Sequence, residues 1–190
     1  MAHQMKIHIH ICCIVLSVLA SQGADFDLGT HGTLSVTVPA DWSVNGKPVN
    51  RPDGTPIGYA FAIKPRSDAN AKCLITFAYT TNGVPNKEII RKEVLRICEE
   101  FVSESVEKKK NLKDFSLEKG YGAYCLFTDA SLVGKNVKPG EYKIMGSGEV
   151  QPADNMVGAV SLFADEADGI ELKAMIKIIN SLKVRPRDAK

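Results

Sequence analysis

Apolar and polar residues alternate in three stretches near the start of the chain, at residues 33–38, 57–63 and 73–79. Each stretch is rich in β-branched or aromatic residues and predicts a β-strand. Pro39 ends the first stretch. The single tryptophan, Trp42, follows it, and residues 45–56 are then rich in Asn, Gly and Pro. That composition is typical of a long loop between strands.

The spacing of apolar residues changes to a helical period after Asn86, which is a suitable N-cap. The period continues to about Lys109 and predicts an amphipathic helix of about six turns. Its apolar face consists of Ile90, Val94, Ile97, Cys98, Phe101 and Ser105.

The second half of the chain predicts four more strands and a C-terminal helix. The strands fall at residues 113–119, 121–128, 141–150 and 156–164, with a loop at 130–140, and the helix carries an apolar stripe from Leu172 to Leu182. Strands and helices do not alternate regularly, so the order favours a mostly antiparallel α+β sheet of six to seven strands. Residues 157–162 are apolar or small on both faces, which predicts a sheet sandwiched by helices.

The N-terminal residues have the layout of a secretory signal peptide. Lys6 precedes an apolar run at residues 11–20, and small and polar residues follow. The run is shorter than the roughly 20 residues that span a bilayer. We therefore expect a signal peptide at residues 1–24, cleaved after Ala20, Gly23 or Ala24, and one domain at 25–190. The mature chain would be periplasmic or secreted, without a transmembrane segment. The sequence has no N-glycosylation sequon, which fits a bacterial exported protein.

The composition is that of an ordinary soluble protein, with 24% charged and 44% hydrophobic residues. The net charge of +2 does not indicate a nucleic-acid partner. Once residues 1–24 are removed, His31 is the only histidine left. It lies between glycines near the new N-terminus, where we expect it to be mobile. Because histidine is the usual general base and a common metal ligand, we expect no catalytic, cofactor-binding or metal-binding residues, and no enzyme activity.

Three cysteines also remain after such cleavage: Cys73, Cys98 and Cys125. They form no C-x-x-C pair, so neither a zinc site nor a thioredoxin-type redox motif is indicated. One interpretation is that all three are buried thiols that pack as small hydrophobic residues. The alternative, in an oxidising compartment, is a disulfide of Cys98 with Cys73 or Cys125.

Two stretches of the sequence resemble a known family. The first reads L-S-V-T-V-P-A-D-W at residues 34–42, and the second ends the last helix as I-I-N-S-L-K at 178–183. Together with the order of elements they resemble the PsbP fold. This fold is shared by the photosystem subunit PsbP, the Ran-binding Mog proteins and small bacterial exported proteins of unknown role. The resemblance covers about residues 34–184 and implies an antiparallel sheet between helices. It transfers no functional residue.

These observations favour an exported, non-enzymatic binding or envelope-assembly module with an unidentified protein partner. Long loops often contain the residues that bind a partner, so we expect the partner surface in the loops at residues 45–56 and 130–140. Its candidate residues are Trp42, Asn45, Arg51, Asp53, Lys135, Asn136 and Lys138. The alternative is a small-ligand-binding protein of the envelope, or a hydrolase that pairs Asp129 with Glu141 or Glu149.

Overall fold

The computed structural model describes residues 20–80 and 85–187. The strands are β1 (Ser21–Asp27), β2 (Thr33–Pro39), β3 (Trp42–Asn50), β4 (Pro56–Pro65), β5 (Lys72–Tyr79), β6 (Lys113–Asp114), β7 (Tyr121–Thr128), β8 (Ile144–Ala153), β9 (Met156–Ala164) and β10 (Lys183–Arg185). The helices are α1 (Lys87–Ile97), α2 (Glu99–Val102) and α3 (Ile170–Asn180).

Seven of the strands form one large antiparallel sheet in the order β3-β4-β5-β9-β8-β7-β6. A second sheet has three strands in the order β1-β2-β10, and its pairs are antiparallel too. The predicted α+β class with a mostly antiparallel sheet of six to seven strands is confirmed.

The main core lies between one face of the large sheet, α3 and the small sheet. Alternate side chains of β5 point into it: Cys73, Ile75 and Phe77 are buried, whereas Leu74 between them is exposed. The same alternation runs through β4 and β9. Burying one such large apolar side chain contributes about 1.5–3 kcal/mol. The twofold period of these strands therefore determines which face of the large sheet is turned toward the main core.

The opposite face of the large sheet is covered unequally. Helix α1 packs on β7 and β8, where a smaller cluster is buried. Its members are Ile90, Val94, Cys98, Ala123, Cys125 and Phe127. Over β5 and β9 the same face carries small exposed residues such as Ala78 and Ala159. The helical covering expected for the second face therefore extends over only part of it.

The predicted loop at residues 45–56 is wrong over its first half. Residues 42–50 form β3, an edge strand of the large sheet, and only 51–55 form a turn. Pro48 is accommodated because an edge strand has a free side on which no hydrogen bond is needed. In the turn, Gly54 adopts a φ of 84° and its N–H donates to the Arg51 carbonyl at 2.9 Å.

The helix predicted from Asn86 to about Lys109 is also shorter than expected. Asn86 caps it as predicted, accepting from the Ile89 N–H at 3.0 Å, but helical structure ends with α2 at Val102. Ser105 then turns the chain: its hydroxyl donates to the Val102 carbonyl at 3.1 Å and accepts from the Lys108 N–H at 3.2 Å. Short polar side chains of this kind compete with helical hydrogen bonds.

The N-terminal strand was not predicted. β1 begins at Ser21, inside the segment assigned to the signal peptide, and pairs with β2 along its whole length. Residues 1–19 of the predicted signal peptide lie outside the described residues. Within the described part of the chain, none of the helices is both long and apolar enough to cross a bilayer.

Candidate functional site

A groove of about 780 Å³ lies where the connection between β4 and β5 meets the loop between β7 and β8. One wall is formed by residues 64–72 and the other by 137–142, with Asp165 after β9 between them. We call this the basic groove, because four cationic side chains line it: Lys64, Arg66, Lys72 and Lys138.

The side chain of Asn70 joins the two walls of the basic groove. Its amide Nδ2 donates to the Glu141 carbonyl at 2.7 Å and to Asp165 Oδ1 at 3.0 Å. Its Oδ1 accepts from the Gly140 N–H at 3.2 Å, where Gly140 has a φ of 92°. One side chain thus makes hydrogen bonds to two segments of the chain, and it fixes the width of the groove.

Two of the four cations are held in place by neighbouring groups. Arg66 Nε donates to the Trp42 carbonyl at 3.1 Å, which orients its guanidinium. Lys72 Nζ lies 5.0 Å from the ring centre of Tyr142 and 4.9 Å from that of Phe163, within range of a cation–π interaction.

The groove has a surplus of positive charge. Its carboxylates are Asp68 and Asp165, against four cations. Asp165 already accepts from Asn70. Among residues 20–80 and 85–187, the ion pairs involve other cations than these four. The charge of the groove is therefore available to an anionic group of a ligand.

A second cleft, of about 170 Å³, shares Tyr142 with the basic groove. We call it the aromatic cleft. Five apolar or aromatic residues line it together with four polar ones: Phe101, Phe127, Tyr142, Met145 and Phe163, and Glu104, Ser105, Thr128 and Asp129. The rings of Phe101 and Phe127 lie 5.6 Å apart, and those of Tyr142 and Phe163 lie 5.2 Å apart. The basic groove thus continues into a cleft with aromatic rings in its wall, and Lys72 lies at the boundary.

The residues proposed for the partner surface fall in separate places. Lys138 lines the basic groove, and Lys135 and Asn136 are exposed on the same loop. Arg51 and Asp53 are exposed in the β3–β4 turn, at the other end of the ten-residue strand β4. At about 3.3 Å per residue that separation is about 30 Å. The two loops therefore do not form one continuous surface.

The remaining two residues of that set lie on β3. Asn45 is exposed on this edge strand. Trp42 is 4% exposed and belongs to the main core, so its side chain offers no surface to a partner.

The wall residues Asn70, Lys72 and Tyr142 were not proposed, because no local motif marks them. Asn70 and Asp165 are 95 positions apart in the chain.

The three cysteines are free thiols in the structure, and all are buried. Cys73 lies in the main core, where burial raises its pKa to about 12. Cys98 and Cys125 lie together in the smaller cluster, and the Cys98 thiol donates to the carbonyl of Ser147, the residue of β8 that pairs with Cys125. Of the two pairings considered for Cys98, the structure brings only Cys125 close to it.

His31 is fixed by its neighbours, not mobile as expected. It ends a short 3-10 helix at Gly29–His31, and its ring stacks on Tyr79 with centroids 3.6 Å apart. Its Nδ1 lies 3.1 Å from Asn155 Nδ2. These neighbours give the imidazole a packing role at the junction of the two sheets.

Of the three carboxylates considered for a hydrolase, two accept hydrogen bonds within their own loop and the third lies far from Asp129. Asp129 Oδ1 accepts from the Ser131 N–H at 2.8 Å, and Glu141 Oε2 accepts from the Lys138 N–H at 3.0 Å, so both stabilise turns of their own loop. Glu149 pairs with Ala123 on β7, six residues before Asp129. That is about 20 Å along the strand. The pairing of Asp129 with Glu149 is therefore wrong.

No group of three His, Cys, Asp or Glu side chains that could hold a metal ion is found in the described part of the chain. The fold and the groove together define a small α+β protein with a basic groove beside an aromatic cleft.

No protein-family model matches the sequence, and no curated protein matches it. Among solved structures, the chain is similar to a protein from Bacteroides thetaiotaomicron VPI-5482, with a TM-score of 0.42 and 14% identity over 83% of this chain and 47% of the other. The chain thus spans about half the length of that protein.

The chain is also similar to cyanobacterial PsbP (CyanoP) from Synechocystis sp. PCC 6803, with a TM-score of 0.48 and 11% identity over 91% of this chain and 97% of the other. This neighbour carries the name of the family that the sequence resembles. At these identities the likeness concerns the fold alone.

Proposed function

We propose that this chain is an exported, non-enzymatic binding module that holds an acidic segment of a protein partner in its basic groove. The observation that carries the proposal is the set of four cations around a groove whose walls are joined by Asn70. Pre-positioned cations attract carboxylates without first giving up an ion pair of their own. Export is proposed from the apolar run at residues 11–20 and the small residues after it.

The charge of the groove fits a short acidic peptide better than a nucleic acid. A nucleic-acid site neutralises many phosphates along an extended basic surface. Here the surplus is two positive charges, and Asp68 and Asp165 lie inside the groove. These carboxylates would repel a continuous polyanion, whereas a peptide can place two or three carboxylates beside the cations and leave the remainder uncharged.

The aromatic cleft gives the same segment a second point of attachment. Lys72 contacts Tyr142 and Phe163, which both line the cleft, so a carboxylate at Lys72 lies next to apolar surface. We therefore assign to the partner segment an apolar or aromatic side chain adjacent to its acidic residues. Aromatic side chains contribute most of the binding energy at many protein interfaces.

An NMR titration of the isotope-labelled full chain tests this function. The probe is a four-residue peptide with three glutamates and one internal phenylalanine. We expect backbone shifts to change around Asn70, Lys72 and Tyr142. Replacing the glutamates by glutamines abolishes these changes, and replacing phenylalanine by alanine weakens binding roughly fivefold.

Two charge variants give the matched comparison. The double variant K64Q/K138Q removes two cations of the groove and should weaken peptide binding roughly fivefold, since an exposed ion pair contributes about 0.2–1 kcal/mol. The control K173Q/K177Q removes the same charge from α3, where Lys173 and Lys177 are exposed, and should leave binding unchanged. Equal losses in both variants would contradict the proposal. Binding of free glutamate as tight as that of the peptide would favour the small-ligand alternative.

A further inference from the structure

Cys98 and Cys125 lie on the two sides of the boundary between α1–α2, which we call the helical layer, and the large sheet. Cys98 follows the last residue of α1, and Cys125 lies in the middle of β7. Cys98 Sγ donates to the Ser147 carbonyl at 3.6 Å, and Ser147 is the residue of β8 that pairs with Cys125. The Cys98 thiol is thus placed beside the strand position of Cys125, within the same buried cluster.

We propose that Cys98 and Cys125 form a disulfide under oxidising conditions such as those the chain meets on export, and that this bond joins α1 and α2 covalently to the large sheet. The inference uses the export part of the proposed function. It does not depend on what the basic groove binds.

The bond forms by two thiol–disulfide exchange steps with a disulfide-bearing oxidant, either oxidised glutathione or a dithiol oxidase. The thiolate of one cysteine attacks one sulfur of the oxidant, a mixed disulfide forms, and the other oxidant sulfur leaves as a thiolate that takes up a proton. The other cysteine then loses its proton and attacks the protein sulfur of the mixed disulfide, which releases the second oxidant thiol. Two protein thiols are oxidised to one disulfide, and one oxidant disulfide is reduced to two thiols.

Burial determines when the bond forms. Both residues are 0% exposed in the folded protein, so the first exchange takes place before α1 has packed on β7. At that stage neither thiol has the surroundings it has in the folded protein, so either cysteine can attack the oxidant first.

The bond lies within the smaller cluster, through which α1 packs on the large sheet. The smaller cluster contains six of the described residues, and two of them are these cysteines. The layer also supplies Phe101 and Ser105 to the aromatic cleft. A covalent bond at Cys98 therefore fixes one wall of that cleft relative to the sheet.

Cys73 provides an internal control. It is buried in the main core on the opposite face of the sheet, and it pairs across the strands with Ile63 and Leu162. Neither neighbour offers a thiol, so Cys73 remains reduced while the other two are oxidised.

The test is peptide mapping of the full chain after alkylation under denaturing, non-reducing conditions. One sample is secreted by a bacterial host. A second is produced in a reducing cytoplasm and then equilibrated with oxidised and reduced glutathione. This unprocessed chain also contains Cys12 and Cys13, and the peptides that carry them are mapped separately. We expect alkylation of Cys73 and a linked pair of peptides containing Cys98 and Cys125, two hydrogen masses below the reduced pair. Alkylation of both cysteines in the glutathione sample, or a bond to Cys73, would overturn the inference.

The two samples distinguish this inference from the export proposal. A linked pair in the glutathione sample, together with no secreted protein, would remove export and leave the disulfide. In addition, the guanidinium midpoint of the oxidised chain should exceed that of the reduced chain. This difference between the oxidised and reduced midpoints should be lost in C125A and retained in C73A. A difference that persists in C125A would count against the bond.

Discussion

At the scale of single residues, Asn70 determines the geometry of the basic groove through a carbonyl, a carboxylate and an amide of segments far away in the sequence. We predict that N70A lowers the free energy of unfolding by about 1–3 kcal/mol, because partly buried groups lose their partners. The same change should weaken peptide binding. Urea unfolding measures the first effect, with N136A as control, since Asn136 is an exposed asparagine of the opposite wall's loop. Equal effects of both substitutions would contradict the role of Asn70.

Glu149 is a residue whose charge opposes folding. Burial raises its pKa above the usual value of 4.5, Glu93 adds to the increase, and Arg96 opposes it. The folded chain therefore holds this proton more tightly than the unfolded chain does. Ionisation destabilises the fold, and the penalty grows as pH rises from the unfolded pKa through the folded one.

We predict from this that E149Q stabilises the protein at about pH 7 and that the gain disappears below about pH 4, where both states carry the proton. Urea unfolding at the two pH values measures the difference, with E104Q, a change at an exposed glutamate of the loop after α2, as the comparison. A gain of the same size at both pH values would show that removal of the negative charge is not its source.

At the scale of elements, β1 restricts where a signal peptidase can cut without damaging the fold. The four residues 21–24 supply four of the seven register pairs between β1 and β2. We predict cleavage after Ala20, which leaves β1 whole. The intact mass of the secreted protein identifies the new N-terminus, and a chain that begins at Asp25 would contradict the prediction.

A matched pair of chains measures what β1 contributes to stability. Chains that begin at Ser21 and at Asp25 differ by the four strand residues alone. Because each backbone hydrogen bond contributes about 1 kcal/mol net, the shorter chain should lose on the order of 2 kcal/mol in its free energy of unfolding. Equal stability of the two chains would show that the first half of β1 is dispensable.

The elements also show how far a local pattern predicts structure. The twofold alternation at residues 33–38, 57–63 and 73–79 predicted β2, β4 and β5 correctly, because each buries one face in the main core. β1 escaped prediction because Phe26 is its only large apolar residue. β3 was taken for a loop because Asn45-Gly46 and Pro48 are turn signals. Gly46 is needed there, since a Cβ would lie 2.7 Å from the Tyr59 ring.

At the scale of the whole molecule, the candidate site joins parts that are distant in sequence. The loop that contains Lys138 could be predicted as a binding loop from its length and composition. The opposite wall could not, because Asn70 and Lys72 gain their roles only when β5 pairs with β9 and brings them beside Asp165. Such a site depends on tertiary contacts, and a single sequence carries no local signal for it.

The two buried clusters should differ in how readily they open. The main core includes twenty-four of the described residues and the smaller cluster six. Less buried apolar surface is therefore exposed to water when α1 leaves the sheet than when the main core opens. In the reduced protein we predict that amides of α1 exchange with deuterium at least tenfold faster than those of β5 and α3. Hydrogen exchange with mass spectrometry reads each element separately.

Comparing hydrogen exchange in the oxidised and the reduced protein tests this difference between the two clusters. Once Cys98 is bonded to Cys125, α1 can leave β7 only as far as the bond allows, so exchange in α1 should slow severalfold. Exchange in α3, which packs on the other side of the sheet, should not change. Equal protection of α1 and α3 in the reduced protein would show instead that the helical layer and the main core unfold as one cooperative unit.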